Sequence, residues 1–356
     1  MTRIAPLVVL ALAACPKGSD NKKPVDPIPH GSDGTGSDAG RLLPEDDAGM
    51  AVLPPAPPVP KPPAGLPSLP DSPALAVVTP DTVALGELLF HDARLGSDGK
   101  TSCATCHDPA HGYAGKDDTT AAGKPNLRRT PALVNLAWTK DFGWDGRYHS
   151  LDEHLAAHVR GQLGDDLEPA LRRVADLPLY KAHLARVGGA PTDAALHALE
   201  AFVLTRYDGD SPWDRLEPTM RMPKPGAPGD PIVAGYVVFT SKGQCAVCHT
   251  PPLYTDSGYH KTFVGAFADE GRGKVDPAQA GAFRTPTLRG AANRVAFFHS
   301  GAKTTLDEVV DYYLADHAGL DPALKKVALS PAERTSLLAF LRALSAPAVT
   351  TKPVLP

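Results

Sequence analysis

The residues with the clearest chemistry are four cysteines arranged in two Cys-x-x-Cys-His motifs, which begin at Cys103 and Cys245. In this pattern both thiols form thioether bonds to a haem, and the histidine that follows binds its iron. The motifs use every cysteine of the 356-residue chain except Cys15. The sequence therefore predicts two covalently bound haem c groups. The expected attachment residues are Cys103, Cys106, Cys245 and Cys248, and the expected iron ligands are His107 and His249.

Two other uses of these residues remain open. Disulfides form in exported proteins, but Cys-x-x-Cys pairs close very short loops and would leave both histidines unexplained. A zinc site also takes Cys and His ligands, although the order Cys-x-x-Cys-His is unusual for it.

An internal repeat relates the two halves of the chain. Arg129-Thr-Pro-Ala-Leu matches Arg284-Thr-Pro-Thr-Leu, and the same 22-residue step leads from these arginines to Leu151 and Leu306. The repeat predicts two copies of one haem module, so that what is inferred for one copy can be transferred to the other.

The residue that faces the second iron is predicted to be Tyr313, which lies seven residues after Leu306. Haem iron takes a proximal histidine and has one further axial position, which is often filled by methionine. The methionines all lie outside the two copies: Met1, Met50, Met220 and Met222. An ordinary core tyrosine is the alternative for Tyr313.

In the first copy the equivalent position belongs to His158, seven residues after Leu151. The repeat thus predicts that His158 faces the first iron, either as its ligand or as a base beside it. His154 lies four residues earlier on the same helical face, so it can share the pocket or orient His158. For each histidine the alternative is a buried or surface residue with no catalytic role.

Both copies have helical patterns. Ser150 and Glu153 form a capping-box pattern ahead of an apolar helical face, and Ser330 with Pro331 begins another helix, over 331–344. Aromatic residues make up 6% of the chain, which disfavours an all-β fold. The expected divisions are a first domain over 74–217, a joint over 218–231, a second domain over 232–346 and a tail over 347–356.

The N-terminal residues 1–14 are typical of an export signal, with Arg3 ahead of the short apolar stretch Ile4–Ala14. The sequence Leu-Ala-Ala-Cys that ends at Cys15 resembles a bacterial lipobox, so we expect Cys15 to be lipidated and to become the new N-terminus. An ordinary signal peptide with an incidental cysteine is the alternative. Residues 16–73 hold 15 prolines and predict a disordered tether behind Cys15. We expect an exported, periplasmic protein that is lipid-anchored to a membrane.

The charge balance excludes one class of partner. Lysine and arginine number 36 against 40 acidic residues, which gives a net charge of −4. The charges form no basic stripe, so nucleic acid is not an expected partner.

The motifs together resemble those of the bacterial di-haem cytochrome c peroxidases and their relative MauG. The resemblance spans residues 76–346, and besides the haem motifs it is carried by Leu85–Phe90, Arg129–Asn135, Trp144–Arg147 with Ser150 and Leu151, Arg284–Arg289, and Phe298–Gly301 leading into Thr305–Val310. It implies an all-α fold of two tandem class I cytochrome c-like haem domains. It also implies that peroxide reacts at the first haem, that the second haem stores or relays electrons, and that Trp144 carries charge between them. Tyr313 matches the position where the second haem takes Met or, in MauG-like members, Tyr.

The chain departs from the family in its first pocket. Where the family has a Gln, a Pro above the iron and a catalytic Glu, this chain has His154, His158 and Gly164. The acid-base carboxylate is therefore missing from its place, although three others stand nearby: Asp165, Asp166 and Glu168. Arg129 replaces an Asn that helps hold calcium in the family, so calcium stays an open expectation.

Three functions are consistent with these residues. The leading one is a peroxidase that reduces hydrogen peroxide at the first haem, with His158 and His154 moving protons and a small cytochrome c or copper protein donating electrons. If His158 binds the iron, the protein is instead an electron carrier or redox sensor with two six-coordinate haems. Tyr313 favours a third, MauG-like function, the oxidation of a partner protein.

Lipidation can be tested apart from the haems. Changing Cys15 to Ala should release the protein from membranes, because acyl chains supply the predicted anchor. The measurement is fractionation of membranes followed by an absorption spectrum, which should be unchanged. Continued membrane association would mean that another element is the anchor.

Overall fold

The computed structural model describes residues 43–47, 49–115, 119–219, 229–262, 264, 269–315 and 321–356. The expected signal peptide, Cys15, the first part of the expected tether and most of the expected joint lie outside these residues. All the described residues belong to one compact unit.

The described residues are mostly helical, as predicted. Their only sheet is a two-residue antiparallel ladder between β1 (Tyr259–His260) and β2 (Phe283–Arg284). The α-helices are α1 (Pro80–His91), α2 (Cys103–Cys106), α3 (Leu151–His158), α4 (Leu167–Arg172), α5 (Pro178–Val187), α6 (Pro191–Leu204), α7 (Pro212–Leu216), α8 (Pro231–Thr240), α9 (Leu306–Leu314) and α10 (Pro331–Ala343).

The first copy is built on the close packing of α1 against α6. Gly86 allows this approach, because a Cβ there would lie 1.9 Å from the carbonyl oxygen of Ala198. Just beyond Gly86, the ring of Phe90 lies 4.9 Å from that of Phe202 and 5.9 Å from that of Tyr113. These rings join the two helices to the loop that follows the first haem motif.

The second copy repeats this arrangement with α8 and α10. A Cβ at Gly235 would lie 2.0 Å from the carbonyl oxygen of Ser336. The ring of Phe239 then lies 5.1 Å from that of Phe340 and 5.9 Å from that of Tyr254. The repeat seen in the sequence is therefore also a repeat of helix packing.

The helices begin where the sequence predicts, but one predicted helix cap is wrong. Thr305 accepts a hydrogen bond of 3.1 Å from the N–H of Glu308 and forms a capping box. The capping box predicted for Ser150 and Glu153 is wrong, because the Ser150 side chain makes no capping bond and pairs with Asp152 instead. α3 nevertheless begins at residue 151, as expected.

Part of the expected tether lies on the folded body. Residues 51–68 form no helix, but carbonyl oxygens of this segment accept hydrogen bonds from the folded body. The indole N–H of Trp138 donates to Ser68 over 3.0 Å, and the N–H of Asp210 donates to Ala64 over 2.8 Å. A proline-rich segment lacks many N–H groups and keeps free acceptors that the body can use. This corrects the expectation of a free, disordered spacer for residues 51–68.

A buried ion pair joins this segment to the body. Arg289 donates to both carboxylate oxygens of Asp214, over 2.8 and 2.9 Å, and to the carbonyl oxygen of Gly65 over 2.6 Å. The side chains of Arg289 and Asp214 are 1% and 0% exposed. Such a pair stabilises the fold only while both partners are present.

No helix among the described residues has the length and apolar character needed to cross a membrane.

Replacing Arg289 by Met should strongly destabilise the protein, since Asp214 would stay buried without its partner. The expected loss is about 3–5 kcal/mol of unfolding free energy, measured by thermal or denaturant unfolding. The matched control is Arg215→Met, which breaks an exposed pair with Asp210 and should leave the midpoint unchanged. Equal shifts in both variants would contradict this account.

Candidate haem centres

The first Cys-x-x-Cys-His motif forms α2 and turns its histidine inward. His107 is 4% exposed, and its Nδ1 donates to the carbonyl oxygen of Tyr113 over 3.0 Å. Because a carbonyl only accepts, Nδ1 carries the proton and Nε2 keeps its lone pair. Burial lowers the pKa of His107 to about 4, so the ring is neutral at pH 7. This is the form of histidine that binds a metal.

The second motif repeats these features. The Nδ1 of His249 donates to the carbonyl oxygen of Tyr254 over 3.0 Å, and burial lowers the pKa of His249 to about 4. Tyr113 and Tyr254 both have a φ of 54°, a left-handed conformation that is uncommon for tyrosine. A tyrosine carbonyl from a left-handed residue therefore orients both imidazoles.

The four motif cysteines are partly exposed and form no disulfide with one another. Burial raises the pKa of Cys103 and of Cys245 to about 12, so both are thiols rather than thiolates. Two cysteines beside a neutral, oriented imidazole fit the attachment of haem c at each motif.

His158 lies across from His107. It is the last residue of α3, and its ring centroid lies 5.8 Å from that of His107. Metal–imidazole bonds are about 2 Å long, so rings bound to opposite sides of one metal have centroids roughly 6 Å apart. A π-helical turn, Val159–Leu163, follows His158 directly. Such turns are frequent at functional sites.

His154 lies one helical turn before His158, with 5.6 Å between the ring centroids. The ring of Tyr148 lies 4.8 Å from His154, and that of Phe142 stacks at 6.2 Å. The Nδ1 of His154 is buried and has no hydrogen-bond partner among the described residues. Burial lowers the pKa of His154 and of His158 to about 3, so both are neutral bases.

The three carboxylates near the family's acid-base position are engaged elsewhere. Each forms an ion pair with an arginine and is at least one-third exposed: Asp165 with Arg173, Asp166 with Arg160, and Glu168 with Arg172. The histidines are therefore the better candidates for proton transfer in the first pocket.

The second centre is a largely apolar cavity that contains Tyr313 of α9. Its lining includes Cys245, Cys248, His249, Trp144 and Tyr313. Burial and the nearby Cys248 raise the pKa of Tyr313, so the phenol is neutral until a cation such as iron favours its ionised form.

Trp144 is held between segments of the two copies. Its indole N–H donates to the carbonyl oxygen of Arg129 over 2.8 Å, and its own carbonyl accepts from the N–H of Arg284 over 2.8 Å. The side chain is 8% exposed and borders the second cavity. The ring is thus fixed beside the place where the second haem would bind.

Buried arginines surround this region. The Nε of Arg294 has no hydrogen-bond partner among the described residues, and burial lowers the pKa of Arg294 to about 10. An unpaired guanidinium N–H in the cavity fits the carboxylate groups of a haem. Arg129 donates to the carbonyl oxygens of Phe298 and Gly115, both over 3.0 Å. A calcium ion at Arg129 would compete with this guanidinium for the same kind of oxygen ligand.

Sequence reasoning missed the residues that orient the two motif histidines. The carbonyls of Tyr113 and Tyr254 lie six and five residues after the motif histidines. The signal was a tyrosine in the loop after each motif, although its spacing differs by one residue between the copies. The carbonyl contacts of Arg129 join distant segments and leave no local signal.

Two sites with the donors of haem c, carried by repeated helix pairs, define a di-haem protein of the cytochrome type. The family model for di-haem cytochrome c peroxidase matches residues 80–219. The chain is 35% identical over 296 residues to the methylamine utilization protein MauG of Methylorubrum extorquens, covering 78% of this chain and 82% of that protein. It is 30% identical over 319 residues to the cytochrome-c peroxidase IdrP2 of Denitromonas iodatirespirans, covering 78% and 85%.

The chain therefore belongs to the family of di-haem cytochrome c peroxidases and MauG. Membership makes it an oxidoreductase of the cytochrome c peroxidase type and implies two haem c groups. The crystal structure of a MauG-like protein associated with microbial copper homeostasis has the same fold. The TM-score is 0.65 at 22% identity, over 80% of this chain and 93% of that one.

Tyr313 can be tested as the ligand of the second iron. Tyr313→Phe should convert one low-spin haem signal to high-spin, because phenylalanine has no donor atom. The measurement is absorption and EPR of the ferric protein. Tyr312→Phe is the matched control, since Tyr312 donates to the carbonyl of Thr262 and should not change the spectrum. An unchanged spectrum in Tyr313→Phe would make this residue a core tyrosine.

Proposed function

We propose that this protein reduces hydrogen peroxide at a haem held by His107, using electrons that arrive through a haem held by His249. The observation that carries the proposal is the pair of neutral histidines, His158 and His154, in the pocket across from His107. Cleavage of peroxide needs a group that takes a proton from one oxygen and gives it to the other. A buried neutral imidazole has the chemistry for this.

Each haem would be held by residues of its own motif. Cys103 and Cys106 would form the thioethers of the first haem. Cys245 and Cys248 would form those of the second, and His249 and Tyr313 would hold its iron. The bound haems supply the redox-active iron that accepts and stores electrons.

The chain's own residues move protons and charge. The unpaired Nδ1 of His154 is available to orient His158 or to accept a proton itself. Trp144, fixed by two backbone hydrogen bonds, would carry electrons from the second centre to the first. A protein that only carried electrons would have less need of a tryptophan held in this way.

A second candidate function is supported by the 5.8 Å between the rings of His107 and His158. That separation suits two imidazoles bound to one iron, which would give an electron-transfer or redox-sensing protein with two six-coordinate haems. A third candidate is the oxidation of a partner protein, supported by Tyr313 and by the identity with MauG.

The partners and location follow from the same proposal. A small periplasmic cytochrome c or copper protein would donate electrons at the surface. The signal-like N-terminus and the lipobox-like sequence at Cys15 support export to the periplasm and a lipid anchor. The two domains over 74–217 and 232–346 would each hold one haem, as the two repeated helix pairs suggest.

The His158→Ala variant separates enzyme from carrier. We expect a high-spin first haem that still binds small ligands but turns over peroxide on the order of 10²-fold or more slowly, which is the effect of losing a positioned acid-base group. Peroxide turnover and EPR spectra are the measurements.

The control is His183→Ala, which removes a buried histidine of α5 whose pKa is also lowered to about 4 by burial. Peroxide turnover should be unchanged in this control. If the resting protein is wholly low-spin and His158→Ala gains peroxidase activity, the carrier function is correct and the peroxidase proposal fails.

A further inference from the structure

A tyrosine with a carboxylate partner lies near Trp144. The hydroxyl of Tyr259, in β1, donates to Oδ2 of Asp141 over 2.9 Å. The other oxygen of Asp141 lies 2.8 Å from Nδ1 of His149, whose side chain is 67% exposed. The pair thus connects a half-buried phenol with solvent through a carboxylate and an imidazole.

Backbone contacts place this pair beside Trp144. Tyr259 is the cross-strand partner of Arg284, whose N–H donates to the carbonyl oxygen of Trp144 over 2.8 Å. A Cβ at Gly146 would lie 1.7 Å from the Tyr259 hydroxyl oxygen, so this hydroxyl reaches the chain two residues after Trp144. Consecutive Cα atoms are about 3.8 Å apart, so the two steps from Gly146 to Trp144 place this hydroxyl within about 11 Å of the Trp144 Cα.

Arg272 determines how Tyr259 can be oxidised. Its guanidinium lies 3.7 Å from the centre of the Tyr259 ring and donates to the carbonyl oxygen of Asp145 over 3.0 Å. A cation over the ring makes a positively charged ring costly. Electron loss from Tyr259 therefore needs simultaneous loss of the phenolic proton.

Asp141 is suited to take that proton. Burial alone would raise the pKa of Asp141, but hydrogen bonds from His149 and Tyr259 outweigh burial and hold this pKa below its ordinary value. The carboxylate is thus ionised at pH 7 and already accepts the hydrogen bond along which the proton would move.

We propose that Tyr259 is a proton-coupled redox relay between Trp144 and the protein surface. One electron passes from Tyr259 to oxidised Trp144 and restores the neutral tryptophan. The phenolic O–H bond breaks, its proton goes to Oδ2 of Asp141, and a neutral tyrosyl radical remains. A one-electron donor at the surface near His149 then reduces Tyr259, and the proton returns from Asp141. The relay rests on the proposed function, in which hydrogen peroxide is the oxidant.

The test is freeze-quench EPR of the two-haem protein after one equivalent of hydrogen peroxide. Wild type should give a tyrosyl radical, assigned by narrowing of its signal when the protein carries ring-deuterated tyrosine. Tyr259→Phe should lose this signal while its haem absorption still responds to peroxide. Asp141→Asn, which keeps a hydrogen-bond acceptor but cannot take the proton, should also lose it.

Tyr180→Phe is the matched control. Tyr180 donates to Asp92 over 2.6 Å and forms the same kind of pair, but it lies in the core of the first copy. Its replacement should leave the radical signal intact. The relay is overturned if the radical persists in Tyr259→Phe. It is also overturned if wild type gives no tyrosyl radical while its haems react with peroxide. Either result leaves the peroxidase proposal standing.

If the proposed peroxidase function is wrong, the haem absorption of wild type does not respond to peroxide. The same EPR comparison is then made with a soluble ruthenium polypyridyl photo-oxidant, which oxidises exposed aromatic residues without peroxide. A weaker tyrosyl signal in Tyr259→Phe than in wild type supports the redox-active pair. Equal signals overturn it.

Discussion

Two hydrogen bonds, from Nδ1 of His107 and of His249 to tyrosine carbonyls, are the constraint on which the rest of the structure depends. Each bond fixes the tautomer and the direction of an imidazole that would otherwise rotate freely. The carbonyls point correctly only because Tyr113 and Tyr254 have a left-handed backbone, which is held while their rings pack against phenylalanines of the paired helices. Helix packing and the orientation of the two imidazoles are therefore coupled in both copies.

Asp145, the residue after Trp144, organises the contact between the two copies. Asp145 is 1% exposed and accepts hydrogen bonds from Arg128, over 2.7 Å, and from Arg147. Arg128 also bonds Asp269, which belongs to the second copy. A buried carboxylate costs free energy unless it is fully paired, so this network favours one relative placement of the two segments. Trp144 is fixed as a consequence.

The features that could be predicted from the sequence are those encoded by a local motif or by the internal repeat. The haem motifs are local, so spacing alone predicts them. Tyr313 was proposed because the two copies hold no methionine and because the family places a ligand there, and the repeat then carried its position to His158. The cap at Ser150 was wrong: its side chain makes no capping hydrogen bond and donates to Asp152, a contact that the Ser-x-x-Glu spacing does not predict. The contacts of residues 51–68 and the pairing of Tyr259 with Asp141 join segments far apart in sequence. No periodicity encodes such contacts, so only the fold reveals them.

The two copies use one scaffold to make unlike centres. His158 and Tyr313 occupy equivalent positions, but a π-helical turn follows the first and a regular helix end the second. In the proposed function a phenolate, a hard anionic donor, would favour ferric iron at the second centre and lower its reduction potential. The neutral histidines of the first pocket would not do so. The driving force for moving electrons through Trp144 toward the first centre would then arise mainly from this one difference between the copies.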